Sequence, residues 1–252
     1  MANNQTKNPH VGHRQRMRER VQKQGLESLQ PHEILEFLLY PFIPMKDTNA
    51  VAHELLDKVG GNLDKVFEAS PALLMSVKNM TQNAVLFLTS IPSLSRIYEL
   101  NKLGDKPMLD TITHTKEYFQ KLFFHQDREK MYLAIVNAKG KLVDISEIGT
   151  SFSQECTLNV KEFVQKTASN GANNIFIAHN HPSGDAKPSR ADYDFTRWLV
   201  SLCEIMGLKL VDHLIITDND YYSFSEQGDL AQYKNVYSDY IKFATAMDRF
   251  RM

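Results

Sequence analysis

The segment IFIAHNHPSGDAKPSRAD, from Ile175 to Asp192, decides the fold of this 252-residue chain and the site that the fold carries. Its first residues, Ile175 to Ala178, form a short, apolar, β-rich run that predicts a buried strand. The apolar run stops at His179-Asn180-His181, and the Pro-Ser-Gly that follows turns the chain toward a helix beginning at Ser189. Because residues two apart on a strand point to the same side, both imidazoles leave the core on one face of a sheet.

Two imidazoles on one face of a strand suit zinc, which takes nitrogen and oxygen ligands in a tetrahedron. Asp192 offers a third ligand from the first turn of the next helix, whose positive end favours a carboxylate. Two plainer interpretations stay open. Ser189 and Asp192 also form the Ser-x-x-Asp pattern of a helix capping box, and a His-x-His pair is common among surface histidines. The position of the histidines at the carboxyl end of a buried strand, where sheet proteins place their sites, favours the metal.

The complete spacing, H-x-H-x7-S-x2-D, resembles the JAMM signature of the JAB1/MPN/Mov34 metalloenzymes. HNHPSG followed by PSRAD, and later VDHLII and YYSF, is similar to the RadC branch of that group. Further upstream, GHRQRMRERV and ILEFLLYPFIPMKDTN are similar to the N-terminal helical region of RadC-like proteins. The resemblance covers residues 10–230, and the metal motif within it is highly specific.

This resemblance implies a zinc-dependent hydrolase. In the family the two motif histidines and the aspartate bind Zn2+, which corresponds to His179, His181 and Asp192, and water takes the fourth position. The motif serine, here Ser189, is implied to hold that water or the developing oxyanion. A glutamate near the start of an early strand is the family's general base. These roles form a coherent scheme because zinc lowers the pKa of its water toward about 7 and a carboxylate can then take the proton.

Two glutamates precede the motif and compete for the role of general base. Glu129 lies in DREKMYLAIV, at the start of the first long strand, and Glu147 lies in DISEIGT, on its hairpin partner. The family places its base just before the first core strand and after a helix, which favours Glu129 and leaves Glu147 as the alternative. On the VDHLII strand, His213 is either a hydrogen-bond partner of a ligand histidine or a buried, satisfied histidine.

The chain is predicted to contain an N-terminal all-α bundle followed by a three-layer α/β domain of MPN (JAB) type. Residues 1–105 show helical patterns alone, the last two helices being TQNAVLFLTS and Ser93–Lys102, and by resemblance they form a helix-hairpin-helix-like domain. Gly104-Asp-Lys-Pro107 marks the boundary. Residues 106–230 alternate between helix and strand and form the metallohydrolase domain, and residues 231–252 are predicted as a C-terminal helical extension.

Composition narrows the class of protein further. The net charge of −1 excludes nucleic-acid binding through the charge of the whole molecule. The two cysteines, Cys156 and Cys203, form no C-x-x-C, which is typical of a protein from a reducing cytosol. The polar N-terminus has no secretory signal, and the most apolar segment, residues 34–45, is interrupted by a glutamate and two prolines. A cytoplasmic protein without a membrane span is therefore expected.

The resemblance implies zinc-dependent hydrolysis of an amide, in a peptide or isopeptide substrate, because relatives with this motif cleave such bonds. An amine is a poor leaving group, so the reaction needs the strong carbonyl polarisation that zinc provides. The alternative from another class is a DNA-associated repair or adaptor protein whose metal site is structural or idle. Hydrolysis of a small-molecule amide is a third interpretation.

The DNA interpretation depends on the N-terminal region. Helix-hairpin-helix modules hold the DNA backbone with a Gly-x-Gly hairpin, but here Asn79 and Thr81 take the glycine positions in SVKNMTQNAV. Asparagine tolerates a left-handed backbone and threonine does so poorly. The five cations of HRQRMRERVQK spread around their helix, which is typical of a solvated basic surface, while a nucleic-acid contact stays the alternative.

Overall fold

The computed structural model describes residues 12–44, 46–150, 159–236 and 238. These residues fall into two compact units, divided between Ser95 and Arg96. The division lies inside one long helix that ends at Lys102, ahead of the boundary expected after residue 105.

The first unit is entirely helical. Its helices are α1 (His13–Gln24), α2 (Pro31–Leu39), α3 (Thr48–Lys58), α4 (Leu63–Phe67), α5 (Pro71–Met75) and the first part of α6 (Gln82–Lys102). Polar residues begin several of them as expected from capping chemistry: Asp47 accepts the N–H of Asn49, and Ser70 accepts the N–H of Leu73. The apolar faces of α2, α3 and α6 meet in one core that contains Leu35 and Leu88.

Helix α6 corrects the sequence prediction of two short helices. It runs unbroken from Gln82 to Lys102 with Pro92 inside it. An interior proline costs a helix about 3 kcal/mol because it removes one hydrogen bond and crowds the preceding turn. Burial of Ala84, Val85 and Leu88 on the preceding turns offsets that cost, since these residues fix the helix against the core. The proline therefore does not mark a helix end here.

The second unit is an α/β domain with a five-stranded sheet. Its elements are α7 (Ile112–Phe123), β1 (Lys130–Val136), β2 (Leu142–Thr150), α8 (Val160–Ser169), β3 (Asn174–Asn180), α9 (Arg190–Met206), β4 (Lys209–Ile216) and β5 (Tyr221–Ser223). The strand order is β2-β1-β3-β4-β5. Strands β3 and β4 are parallel, joined through α9, and the other neighbours are antiparallel.

The sheet is covered on both faces, which confirms the three-layer α/β architecture. Phe119 and Phe123 of α7 pack against Ala134, Phe176 and Leu214 on one face. On the other face, α8 and α9 pack against alternate residues of the central strands. The helices contribute Phe163, Leu199, Val200 and Cys203, and the strands contribute Leu133, Ile175 and Ile177. Strand β3 is thus central and buried, as its apolar run predicts.

The C-terminal extension is described in part. Residues 229–236 are helical, and Leu230 and Tyr233 pack onto the core on the α8 and α9 side. The rest of the predicted extension lies outside the described residues, apart from position 238. Among the described helices, none combines the length and the hydropathy needed to cross a bilayer.

A buried carboxyl group lies at the start of the last hairpin. Asp212 is 3% exposed and accepts hydrogen bonds from the Ser223 hydroxyl and from the backbone N–H groups of His213 and Ser225. Burial penalises the charged form and raises the pKa of Asp212 from 3.8 to about 6, although those hydrogen bonds oppose the shift.

This raised pKa predicts a pH-dependent stability difference between wild type and Asp212→Asn. The native state holds the Asp212 proton more tightly than the unfolded chain does. The stabilisation that results from this proton is therefore complete below about pH 4 and is lost as the pH rises through 6. The free energy of unfolding of wild type should fall relative to that of Asp212→Asn by about 1–3 kcal/mol between pH 4 and pH 7. Urea denaturation across this range measures the difference, and parallel curves for the two proteins would refute the expectation.

Candidate metal centre

The two motif histidines lie where β3 leaves the core. His179 is fully buried and His181 is partly buried, and both follow the parity of Ile175 and Ile177 on the α8 and α9 face of the sheet. The backbone N–H of His181 donates to the carbonyl of Ile216, so the neighbouring parallel strand holds the end of β3 in place. The alternation of the strand therefore delivers both rings to one side, as the sequence predicts.

Asp192 reaches the same place from the start of α9. Ser189 is the N-cap of this helix and forms a reciprocal capping box with Asp192. The Ser189 hydroxyl and backbone N–H both donate to Asp192 Oδ2, at 2.6 and 2.7 Å. This fixes the carboxylate and leaves its other oxygen, Oδ1, directed at His179 Nε2 at 3.2 Å. Capping and site formation therefore use the same two side chains.

Asp192 and Glu129 each approach the pair of motif histidines. The Nε2 atoms of His179 and His181 are 3.1 Å apart, and His181 Nε2 lies 3.6 Å from Asp192 Oδ2. The carboxylate of Glu129, the residue immediately before β1, offers an oxygen within 4.8 Å of both imidazole nitrogens. Tetrahedral zinc with bonds of about 2.0–2.1 Å requires donor atoms about 3.3 Å apart. The two Nε2 atoms and the His179–Oδ1 contact are close to this spacing, while the nearest Asp192 oxygen to His181 is Oδ2, at 3.6 Å.

A hydrogen-bonded chain fixes the tautomer of His179. The Thr196 hydroxyl lies 2.6 Å from the carbonyl oxygen of Asp192, to which it must donate its one hydrogen. The same hydroxyl lies 2.7 Å from His213 Nδ1 and therefore accepts a proton from that nitrogen. His213 then presents an unprotonated Nε2, which accepts from His179 Nδ1 at 3.0 Å. In the neutral His179 ring, the nitrogen facing the site carries a lone pair.

His181 is oriented by a carbonyl in the same way. Its Nδ1 lies 2.8 Å from the carbonyl oxygen of Asp185, which can only accept, so Nδ1 carries the proton. The neutral His181 ring thus also directs a lone pair inward. Two nitrogen lone pairs and a carboxylate facing one another at these distances repel unless a metal ion or an added proton lies between them. The donor set therefore fits a zinc ion in both chemistry and spacing.

The pKa directions agree with a site built for positive charge. Burial alone would raise the pKa of Asp192, but the adjacent imidazoles of His179 and His181 and the Ser189 hydroxyl hold it far below its usual value. Burial also lowers the pKa of His181, but the Asp192 carboxylate and the Asp185 carbonyl outweigh burial and raise it. Burial lowers the pKa of His213 well below its usual value, so this ring is neutral where it lies between Thr196 and His179.

The two candidate glutamates lie on opposite faces of the sheet. Glu129 shares the parity of Met131, on the side of His179. Glu147 pairs with Tyr132 across the β1–β2 ladder, on the side of α7. Its carboxylate accepts from the Tyr132 hydroxyl at 3.1 Å and pairs with the Lys130 ammonium at 3.0 Å. The fold therefore brings Glu129 to the histidines and separates Glu147 from them.

Two polar residues of the site were not singled out from the sequence. Thr196 follows Asp192 by one helical turn, so helical spacing alone would have placed its hydroxyl near the Asp192 carbonyl. Asn180 lies between the two histidines, and strand alternation turns its side chain to the other face, where it bonds to the segment that carries Glu129. Of the cysteines, Cys203 is buried in the core, and Cys156 lies outside the described residues.

The basic helix α1 uses several of its cations within the helical unit. Arg14 donates to the backbone carbonyls of Ile43, Pro44 and Lys46, which follow the end of α2. Arg18 also lies over the ring of Tyr40, and Arg20 pairs with Glu33 at 2.9 Å. These contacts support a structural role for much of the basic segment.

The hairpin before α6 partly keeps the backbone of a glycine hairpin. Asn79 adopts a left-handed conformation with φ of 70°, which asparagine tolerates. Thr81, in contrast, is the N-terminal cap of α6, with its hydroxyl accepting the N–H of Ala84 at 3.1 Å. Only the first of the two expected glycine positions therefore has glycine-like geometry.

Comparisons with known proteins identify the family. Residues 109–229 match the model of the RadC-like JAB domain, which spans α7, the sheet and the candidate metal centre. The chain is also 32% identical over 224 residues to the UPF0758 protein FN0909 of Fusobacterium nucleatum subsp. nucleatum, covering 86% of this chain and 96% of that protein. The match thus extends through the N-terminal helices as well as the sheet domain. With its H-x-H-x7-S-x2-D residues gathered at the end of β3, this chain belongs to the RadC family of JAB-domain proteins.

Proposed function

We propose that this protein is a zinc-dependent hydrolase that cleaves a peptide or isopeptide bond. One observation carries the proposal: the Nε2 atoms of two imidazoles lie 3.1 Å apart, the Asp192 carboxylate lies within 3.6 Å of each, and the Glu129 carboxylate is within 4.8 Å of both. A structural zinc site closes its fourth position with a protein ligand, whereas a catalytic site leaves that position open. We assign His179, His181 and Asp192 as the three ligands and Glu129, whose carboxylate lies within 4.8 Å of both imidazole nitrogens, as the proton acceptor.

The residues divide the chemistry among them. His179, His181 and Asp192 would hold the zinc, which when bound would polarise the scissile carbonyl and lower the pKa of water at the open position. Glu129 would take the proton from the attacking water and deliver it to the departing amine. The Ser189 hydroxyl, which in the structure donates to Asp192, keeps the carboxylate in place and would donate to the developing oxyanion during the reaction.

Cleavage of a fluorescence-quenched peptide library, with and without zinc, tests this proposal. The library should include branched peptides that contain a lysine ε-amide, to report isopeptide cleavage. Protein carrying one zinc per chain should cleave the library, lose activity when chelator removes the metal, and regain it on reloading. Cleavage that persists after complete zinc removal would refute a zinc mechanism, and inactivity at one zinc per chain would refute peptide hydrolysis in favour of a smaller amide or a non-catalytic site.

DNA association stays a second proposal, supported by the left-handed backbone at Asn79. A salt-dependent titration of the full chain with duplex DNA tests it. Backbone binding through the hairpin should weaken as salt rises and should weaken further in Asn79→Ala, because alanine disfavours the left-handed conformation. Binding that is absent at low salt, or indifferent to Asn79→Ala, would refute this role.

A further inference from the structure

The residue between the two motif histidines makes contacts that neither ligand makes. Asn180 is 4% exposed, and its side chain lies on the sheet face opposite the metal centre. Its Oδ1 accepts the backbone N–H of Lys130 at 2.7 Å. Its Nδ2 donates to the carbonyl of Arg128 at 3.0 Å and to that of Gln126 at 3.5 Å. The two closest bonds are to the residues immediately before and after Glu129.

The hydrogen bonds of the Asn180 side chain lie just beyond the end of the backbone pairing between β1 and β3. The last backbone pair between β1 and β3 joins Met131 to His179. Beyond that pair the chain carrying Glu129 is irregular, between the end of α7 and Lys130. The Asn180 amide therefore continues the connection between the two strands by one more step and ties the irregular segment to the end of β3.

We propose that Asn180 is the positioning residue of Glu129. One tripeptide, His179-Asn180-His181, then holds the reaction centre from both sides of the sheet. Its outer residues direct imidazoles into the site, and its middle residue fixes the backbone on both sides of the carboxylate that faces them. This inference rests on the proposed function, because it assigns Asn180 a role through the general base of that reaction.

The asparagine side chain has the chemistry that this role requires. A primary amide can accept one N–H and donate two hydrogens at the same time, and the segment presents one N–H and two carbonyls. Aspartate would place an acceptor against the Arg128 carbonyl, and serine is too short to span both strands. A buried amide with all of its partners satisfied also holds its neighbours rigidly, since each lost bond would leave an unsatisfied group.

Asn180→Ala separates positioning of the base from binding of the metal. Three quantities would be measured: the hydrogen-exchange rate of the Lys130 amide, zinc affinity by competition with a chromophoric chelator, and the rate of cleavage of the quenched peptide library at one zinc per chain. We expect Lys130 exchange to quicken at least about 10-fold and the cleavage rate to fall about 100-fold, because small displacements of a catalytic group are costly. Zinc affinity should change by less than about threefold, since all three ligands remain.

Ser223→Ala is the matched control. Ser223 is 1% exposed, lies on β5, and donates its hydroxyl to buried Asp212, away from Glu129. The Ser223→Ala substitution also removes a buried hydrogen bond from the same sheet. It therefore reports the effect of destabilising the sheet alone. We expect it to leave Lys130 exchange, zinc affinity and cleavage near wild-type values. Should alanine at position 180 prevent folding, Asn180→Ser gives the same comparison with a smaller loss of polar contacts.

A double substitution tests whether Asn180 acts through Glu129. In a Glu129→Gln background, Asn180→Ala should lower the residual cleavage rate by no more than about threefold, because the carboxylate that it positions is gone. The inference would be overturned if the two substitutions multiplied their effects on the cleavage rate. It would also be overturned if Asn180→Ala left Lys130 exchange unchanged, or if its zinc affinity fell in step with its activity. If zinc-loaded wild type cleaves nothing, the proposed function fails, and Lys130 exchange alone then decides whether Asn180 fixes the segment.

Discussion

His179→Ala should lose zinc affinity by roughly 10²- to 10³-fold. Structural zinc sites with four protein ligands have apparent binding free energies of about 10–16 kcal/mol, which corresponds to about 2.5–4 kcal/mol for each ligand. His179 is the most buried of the proposed ligands, and its tautomer is fixed by His213 and Thr196, so water cannot easily replace it. Metal analysis of purified protein and competition with a chromophoric chelator measure the loss, which should be accompanied by loss of peptide cleavage.

His114→Ala is the control for this experiment. His114 is an exposed histidine of α7 that pairs with Asp110 at 2.7 Å, outside the candidate centre. Its removal should leave one zinc per chain with wild-type affinity. Equal zinc content in His179→Ala and wild type would show that the ion, if bound, lies elsewhere.

Glu129→Gln should abolish most hydrolysis and keep the zinc. The substitution preserves the size of the side chain and removes its ability to take a proton, so the cleavage rate should fall about 10²- to 10⁴-fold. Zinc content should stay near one per chain because His179, His181 and Asp192 are untouched. Initial rates on the quenched peptide library, with parallel metal analysis, separate the two effects.

Glu147→Gln provides the matched comparison on the other sheet face. Because Glu147 is engaged by Lys130 and Tyr132 on the α7 side, its substitution should change the cleavage rate by less than about threefold. If Glu147→Gln lost activity while Glu129→Gln kept it, the assignment of the base would be wrong.

The chemistry of the site could be predicted from the sequence because it depends on local patterns. Strand alternation places His179 and His181 on one side, and a capping box places Asp192 at the start of a helix, so the three proposed ligands follow from spacing alone. The choice between Glu129 and Glu147 needed the sheet, since each is a glutamate near a strand end. The register of β1 on β2 and β3 decides which face each one occupies.

The groups that support the ligands were harder to predict. The contact of His213 with His179 joins residues 34 apart through the parallel pairing of β3 and β4, which sequence spacing does not reveal. The contacts of Asn180 reach back about 50 residues to the segment before β1. The continuity of α6 was not predicted for another reason. Packing of its first turns against the core outweighs the tendency of Pro92 to end a helix.

Anomalous diffraction at the zinc edge, from crystals of the zinc-loaded full chain, tests the central claim most directly. The account predicts one strong peak per chain at bonding distance from His179 Nε2, His181 Nε2 and Asp192 Oδ1, with the Glu129 carboxylate beside the open position. A map with no peak there, or with zinc bound at other residues, would contradict it.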